Sequence, residues 1–384
     1  MSKKATRNQQ CSEKQEVLYL AIELSCSQWK LGFSIGASQR VRERNVAAGK
    51  LEKLQAEICA AKKRFGLSAG AAVRSCYEAG RDGFWLHRYL TQAGIENLIV
   101  DSSSIEVDRR ARRAKSDGLD VQKLVSMLMR YHGGERKLWS VVRVPSVEEE
   151  DRRQLHRELK GLKKERTRGI NRMRVLLACH GIAVKLGRGS STEWLEGIRL
   201  WDGSKLPEGL KARLQREWEH LQYVGKEILA VEGSRRQALR ETEGEKGADA
   251  EKVRRLMELR AIGANGAWVL VEEFFGWRKF RNRREVGALA GLTPTPYQSG
   301  DTNREQGVSK AGNRHVRGVI VELAWAWLRY QPRSKLARWY NRRFGNGNSR
   351  LRKVGIVAVA RKLLIDLWRY LEFGVLPEGA RLKA

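Results

Sequence analysis

The stretch 17-VLYLAIELS-25 decides the fold, read together with 29-WKLGFSIG-36 just after it. Both are short apolar runs rich in β-branched and aromatic side chains. They are too short for a buried helix and close enough in sequence to pair as a hairpin. Working outward, 71-AAVRSCYEAG-80 and 95-IENLIVD-101 read as two further strands. Between the hairpin and these strands, Leu51, Leu54 and Ile58 keep helical spacing on a basic amphipathic segment. A second helix, 83-GFWLHRYLTQAG-94, stops at glycine, a common helix terminator. Strands alternating with helices predict an α/β region with crossover helices over residues 17 to about 140.

The rest of the chain reads as all-α. From residue 146 the charge density rises, as in 158-ELKGLKKERTRGINRMR-174. Leu155, Leu159, Leu162, Met173 and Leu176 keep a three/four spacing, interrupted near Arg166 and Gly169. Leu210, Leu214, Trp218, Leu221, Val224 and Ile228 form a second narrow stripe. Two long helices with narrow apolar stripes predict an antiparallel coiled-coil hairpin, either a spacer or an arm for dimerisation or nucleic acid. The segment 256-LMELRAIGANGAWVLVEEF-274 has the helix–glycine turn–helix look of a helix-hairpin-helix, whose turn can offer N–H groups to phosphate. Helices are expected over 314–330 and 352–372, with the tryptophans of 324-AWAWLRY-330 in a core or a subunit contact. The expected domains are therefore 1–145, 146–255 and 256–384.

Composition narrows the partner. The chain has 384 residues, with 75 Lys plus Arg against 44 Asp plus Glu, a formal net charge of +31. Such self-repulsion calls for a polyanion. The longest apolar run, 354-VGIVAVA-360, is far too short to span a bilayer, and the first residues lack a secretory apolar segment. Nucleic acid is the expected partner, with no membrane association and a cytoplasmic location. The five cysteines form no CxxC pair, and the six histidines show no metal-ligand spacing, which argues against disulfide and zinc chemistry.

Acidic residues then stand out by position. Glu23 lies in the opening strand, Glu78 ends a later one, and Asp117 and Asp120 sit three apart in 114-AKSDGLDVQKLVSML-128. Residues at i and i+3 share a helix face, and Val121, Leu124, Val125 and Leu128 are expected to form an opposite, sheet-packing face. Carboxylates converging from separate elements suit Mg²⁺, a hard cation that takes oxygen ligands in phosphodiester chemistry. Asp117 is equally good helix-start chemistry, and Asp101 and Glu106 are rivals for the site. Asp108 reads as an ion-pair partner of its arginine neighbours. The adjacent run Arg109, Arg110, Arg112, Arg113 and Lys115 would bring a nucleic-acid backbone to these acids. In 294-PTPYQSGDTNREQGVSKAG-312, Ser299 and Ser309 are turn serines by residue type, with Arg304, Lys310, Arg314 and Arg317 nearby to neutralise a phosphate.

The combination of 76-CYEAGRDGFWLHRYL-90, 100-VDSSSIEVDRRARRAKSDGLD-120, 138-LWSVVRVPS-146, 155-LHRELKGLKKERTRGINRMR-174, 290-AGLTPTPYQSG-300 and 309-SKAGNRHVRG-318 resembles the DEDD transposases of bridge-RNA-guided insertion sequences. The resemblance runs over nearly all of the chain. It implies an N-terminal RNase H/RuvC-like domain with an acidic Mg²⁺ site, a coiled coil, and a C-terminal transposase domain with a nucleophilic serine. The family's second acid falls on Glu78, its paired aspartates on Asp117 and Asp120, and its serine on Ser299. Its first acid falls on Glu23, where the family pattern has Asp, so the site is either re-spaced or one ligand short. The implied activity is recombination of donor and target DNA guided by an element-encoded RNA, through a serine–phosphate link, in a homodimer or homotetramer. One subunit's acids would then meet another's serine. Two other readings stay open beside it: a RuvC-type metal nuclease with water as nucleophile, and a catalytically silent nucleic-acid-binding protein.

Overall fold

The structure is a computed structural model that describes residues 16–37, 39–80, 83–105, 117–183, 194–240, 243–299 and 302–383. The chain forms two compact units, Met1–Pro145 and Ser146–Ala384.

The first unit is built on β1 (Val17–Glu23), β2 (Gln28–Ser34), β3 (Arg42–Ala47), β4 (Ala72–Glu78) and β5 (Glu96–Val100). They form one mixed sheet in the order β3-β2-β1-β4-β5. The first three strands pair antiparallel, whereas β4 and β5 join parallel. Parallel joins need crossovers, and α1 (Leu51–Arg64) and α2 (Trp85–Gln92) provide them. Alternation along the strands divides the core in two. Leu18, Leu20, Ile22, Val73 and Tyr77 pack with Leu54, Ile58, Leu86 and Leu90 of these helices. The other face, with Ala21, Cys76 and Val100, meets α3 (Asp117–His132) through Leu124, Val125 and Leu128. Gly32 of β2 is what lets α3 lie so close, because a Cβ there would collide with Val121 Cγ1.

The second unit is helical apart from one hairpin. It contains α4 (Val147–Asp151), α5 (Gln154–Ala178), α6 (Trp194–Gly197), α7 (Glu208–Ala238), α8 (Gly244–Glu258) and α9 (Ala264–Leu270). A π-helical turn, Val271–Phe275, continues α9. Then follow α10 (Arg283–Leu289), the strands β6 (Pro294–Ser299) and β7 (Thr302–Val308), α11 (Arg314–Tyr330), α12 (Lys335–Phe344) and α13 (Ser349–Phe373).

α5 and α7 lie antiparallel. Leu159 packs with Val224, Ile228 and Val231, while Met173 and Leu177 pack with Leu214 and Trp218. Ion pairs Lys163–Glu232 and Arg172–Glu217 follow the same order. Residue 255 falls inside α8, whose Val253 and Leu256 belong to the same core as Phe274, Ile320, Trp327, Leu363 and Leu367. Of the clustered tryptophans, Trp327 is fully buried and donates from Nε1 to Ser334 Oγ at 3.0 Å, whereas Trp325 is exposed. The turn after α8 is strapped by the chain's last residues, where Lys383 Nζ donates to Ile262 O at 2.8 Å. No described helix is long and apolar enough to cross a membrane.

Candidate active site

In the first unit the sheet register brings two acids together. Ile22 pairs with Tyr77 in the parallel β1–β4 ladder, and the next residue of each strand is an acid, Glu23 and Glu78. Neighbouring strands lie about 4.8 Å apart, and in-register residues of a parallel pair point to the same face. Ala21 and Cys76, two residues earlier, face α3, so the period of two puts both glutamates on that face. Both are half-buried. Glu23 is the last residue of β1 rather than an interior one, opposite Lys30 of β2.

α3 runs against β1. Its last residue, His132, packs on Tyr19 near the start of β1 with ring centroids 6.2 Å apart. About two turns into the helix, Leu124 O accepts from Cys76 Sγ at 3.8 Å. The first turn, with Asp117 and Asp120, therefore lies towards the sheet end where Glu23 and Glu78 close their strands. Asp120 is half-buried, one turn before Leu124. It lies on the sheet-facing side of α3 beside Val121 and Leu124 rather than on a face opposite them, because residues at i, i+3, i+4 and i+7 share one side of a helix. Asp101 follows β5 directly, its N–H donating to Ser140 O at 2.9 Å. The Asp117 side chain, Glu106, Asp108, Arg109, Arg110, Arg112, Arg113 and Lys115 lie outside the described residues. Among the described residues, no three His, Cys, Asp or Glu side chains gather as a metal-ligand cluster. Glu23, Glu78 and Asp120 offer only carboxylate oxygens, a donor set that fits a hard divalent cation.

In the second unit Ser299 is the last residue of β6, at the closing pair Ser299–Thr302 of a two-stranded hairpin. By residue type Ser299 is a turn serine, whereas the structure pairs it in a strand. Pro294 and Pro296 hid the strand, since proline lacks the ladder donor, but a two-stranded ribbon is all edge and tolerates it. The register shifts between these two prolines. The side chains of Ser299 and Arg304 lie outside the described residues.

The foot of the hairpin is fixed by backbone hydrogen bonds. Ser309 N–H donates to Thr293 O (2.9 Å), Lys310 N–H to Gly291 O (3.2 Å) and Asn313 N–H to Leu289 O (3.0 Å). Gly312 has φ +97°, and a side chain there would run into the Leu289 backbone. Lys310 is itself held in the left-handed region at φ 56°. Ser309, Lys310 and Arg314 are exposed. Arg317 instead donates from Nη1 to Lys310 O at 2.8 Å, so its guanidinium fastens the loop.

Beneath this foot lies a group that sequence reading missed. Glu273, in the π-helical turn, is 1% exposed. Its Oε1 accepts from His156 Nε2 and Arg157 Nε, both at 2.8 Å. Its Oε2 accepts from Arg157 Nη2 at 3.1 Å and Asn313 Nδ2 at 3.0 Å. Asn313 also caps α11, accepting at Oδ1 from His315 N–H at 2.8 Å. Burial alone would raise the Glu273 carboxyl, but hydrogen bonds from His156 and Arg157, the Arg157 charge and the Asn313 amide hold it well below the usual range. Its neighbour Glu272 is pushed the other way, to about 8, by burial and by Asp249. The signal was present in 267-AWVLVEEFFGW-277, where two acids in an apolar run require buried partners.

Comparison with known proteins places the chain in a family. The chain is 41% identical over 376 residues to y4rJ of Sinorhizobium fredii (strain NBRC 101917 / NGR234), named as a candidate transposase, covering 95% of this chain and 94% of that one. A family model described as Transposase IS116/IS110/IS902 family matches residues 253–341. The chain belongs to the IS116/IS110/IS902 transposase family. Two further relatives of this transposase are more distant. The transposase for insertion sequence element IS1328 of Yersinia enterocolitica is 28% identical over 217 residues, 56% of this chain and 60% of that one. The transposase for insertion sequence element IS1111A of Coxiella burnetii is 27% identical over 247 residues, 64% of this chain and 63% of that one. The matched segment of the transposase contains Glu273, Ser299 and Asn313, while the strand-end acids fall before it. As a member of this family the chain is an enzyme of DNA transposition, with DNA as substrate.

Proposed function

We propose that this transposase exchanges DNA strands through a Ser299–phosphate link, guided by an RNA encoded in its own element. The hairpin carries the reading. Ser299 sits at its closing pair, and the anchored segment after β7 presents Lys310 and Arg314 to solvent. In the proposed step the Ser299 oxygen attacks phosphorus. The phosphoserine bond forms as the bond to the leaving DNA oxygen breaks, and that oxygen takes up a proton. The bond energy is kept for rejoining, which recombination requires. Lys310 and Arg314 would neutralise the phosphate by charge-assisted hydrogen bonds.

The acids at the end of the first sheet support a Mg²⁺ site made by Glu23, Glu78, Asp117 and Asp120. A divalent cation bound there would supply charge stabilisation at a phosphodiester. The order β3-β2-β1-β4-β5, with two acids ending adjacent parallel strands, is the arrangement that a RuvC-like reading needs. Guidance by RNA rests on the family resemblance, and the +31 charge suits a polyanionic partner of any kind. The α5–α7 hairpin supports the coiled-coil arm of a homodimer or homotetramer. The experiment is covalent capture. Labelled DNA incubated with protein, Mg²⁺ and element-derived RNA gives a protein–DNA adduct in wild type and none in Ser299→Ala. Free cut ends that survive Ser299→Ala would instead leave a RuvC-type metal nuclease.

A further inference from the structure

We infer that Glu273 is a positioning residue for strand transfer, acting through Asn313 to hold the foot of the β6–β7 hairpin. The inference deepens the proposed serine reading and rests on it for the identity of the group being positioned.

Three observations carry it. First, Glu273 is almost wholly buried, in a π-helical turn whose five residues are all buried. A carboxylate in such a place must be matched by donors. Its partners come from two elements distant in sequence, α5 (His156, Arg157) and the segment before α11 (Asn313). Second, the bond to Asn313 sets which way that amide faces. With Nδ2 donating to Glu273, Oδ1 is turned to the N–H groups of His315 and Val316, at 2.8 and 3.3 Å. Asn313 in turn ends the segment whose N–H groups grip Thr293, Gly291 and Leu289, the residues leading into β6. Third, a parallel tie exists one step on, where Lys160 Nζ meets His315 Nδ1 at 3.1 Å. The root of α5 and the foot of the hairpin are thus joined by one buried carboxylate, and a shift in either moves the other. An ångström of misplacement at a reacting atom is enough to lose about a hundredfold in rate.

The charged and titratable groups facing Glu273 are His156, Arg157 and Arg153 from α5 and its N-terminal flank, His315 from α11, and Glu272 beside it. Asn313 Nδ2 donates to Glu273, at Oε2 and at the backbone O, so a change at the Asn313 amide tests the link.

The test is strand transfer by the full-length protein. Excision of the complete insertion sequence from a plasmid is scored in bacterial cells, and strand joining is scored with purified protein, its RNA and DNA. Asn313→Ser keeps an oxygen that can cap α11 but removes the amide donor. It is expected to unfold at close to the wild-type temperature while losing tenfold or more of strand transfer, about one decade of positioning. Asn313→Asp places a second carboxyl against Glu273. Such a pair shares a proton, so its strand transfer is expected to recover as pH falls from about 8 to about 6, a rise absent from wild type. A merely structural cap would show neither split. Asn313→Ser with wild-type strand transfer, or Asn313→Asp with the wild-type pH profile, overturns the inference. Ser299→Ala run alongside separates the two ideas. If Ser299→Ala is active while Asn313→Ser is not, the serine reading fails and the positioning stands. If Ser299→Ala is inactive and Asn313→Ser is unaffected, only the positioning fails.

Discussion

Glu272 and Glu273 are adjacent, both buried, and titrate in opposite directions. Glu273 ionises far below a free carboxyl, so its stabilising contribution is present above the unfolded value near 4.5 and is lost on acidification. Glu272 is raised to about 8, so the folded state prefers its proton. Its contribution is best below about 4.5 and is lost as pH rises towards 8. Glu272→Gln is therefore expected to raise stability by a few kcal/mol at about pH 8 and far less at about pH 5. Denaturant unfolding at the two pH values checks it, and an equal effect at both would contradict the assignment. At this scale the acids on strands were legible from sequence, because Glu23 and Glu78 stand at fixed places in short apolar runs. Asn313 was not legible, since its role depends on a carboxylate forty residues away in sequence.

At the scale of elements, apolar pattern decided what could be read. The strands β1, β2, β4 and β5 and the helices α1, α2, α11 and α13 each show a clear period. β3 does not: in RERNVA only Val46 is buried, so an edge strand paired to β2 leaves almost no apolar trace. α12 was missed for a related reason, being ten residues long with Lys335, Arg338, Arg342 and Arg343 on its outer side. The α5–α7 hairpin gives two contrasting predictions. Leu159 is fully buried against α7, and Leu159→Ala should lower stability by about 2–4 kcal/mol. Arg172 is a half-buried, bidentate partner of Glu217, and Arg172→Ala should lower stability by about 1 kcal/mol or less, well short of the loss at Leu159. A midpoint more sensitive to Arg172 than to Leu159 would mean that charge rather than the apolar seam holds the arm.

For the whole molecule, net charge is the governing property. An excess of +31 predicts nucleic-acid affinity that falls steeply with salt, by a log–log slope of about −0.9 for each duplex phosphate neutralised. A titration at several salt concentrations that gave a slope near zero would contradict a backbone-driven interaction. Membership of a transposase family was legible from the motifs spread along the chain, and the identity over 95% of its length bears it out. The helical unit was harder to read as a body, because its core is assembled from six helices and a π-helical turn whose contacts are long-range.

The most direct measurement is covalent capture of DNA by the purified transposase with Mg²⁺ and its element-derived RNA, resolved by denaturing electrophoresis and followed by peptide mapping of the labelled residue. The expected result is an adduct that maps to Ser299, requires the RNA, and disappears in both Ser299→Ala and Asp120→Ala. DNA cut by wild type and by Ser299→Ala alike, with no label retained on protein, would contradict the account.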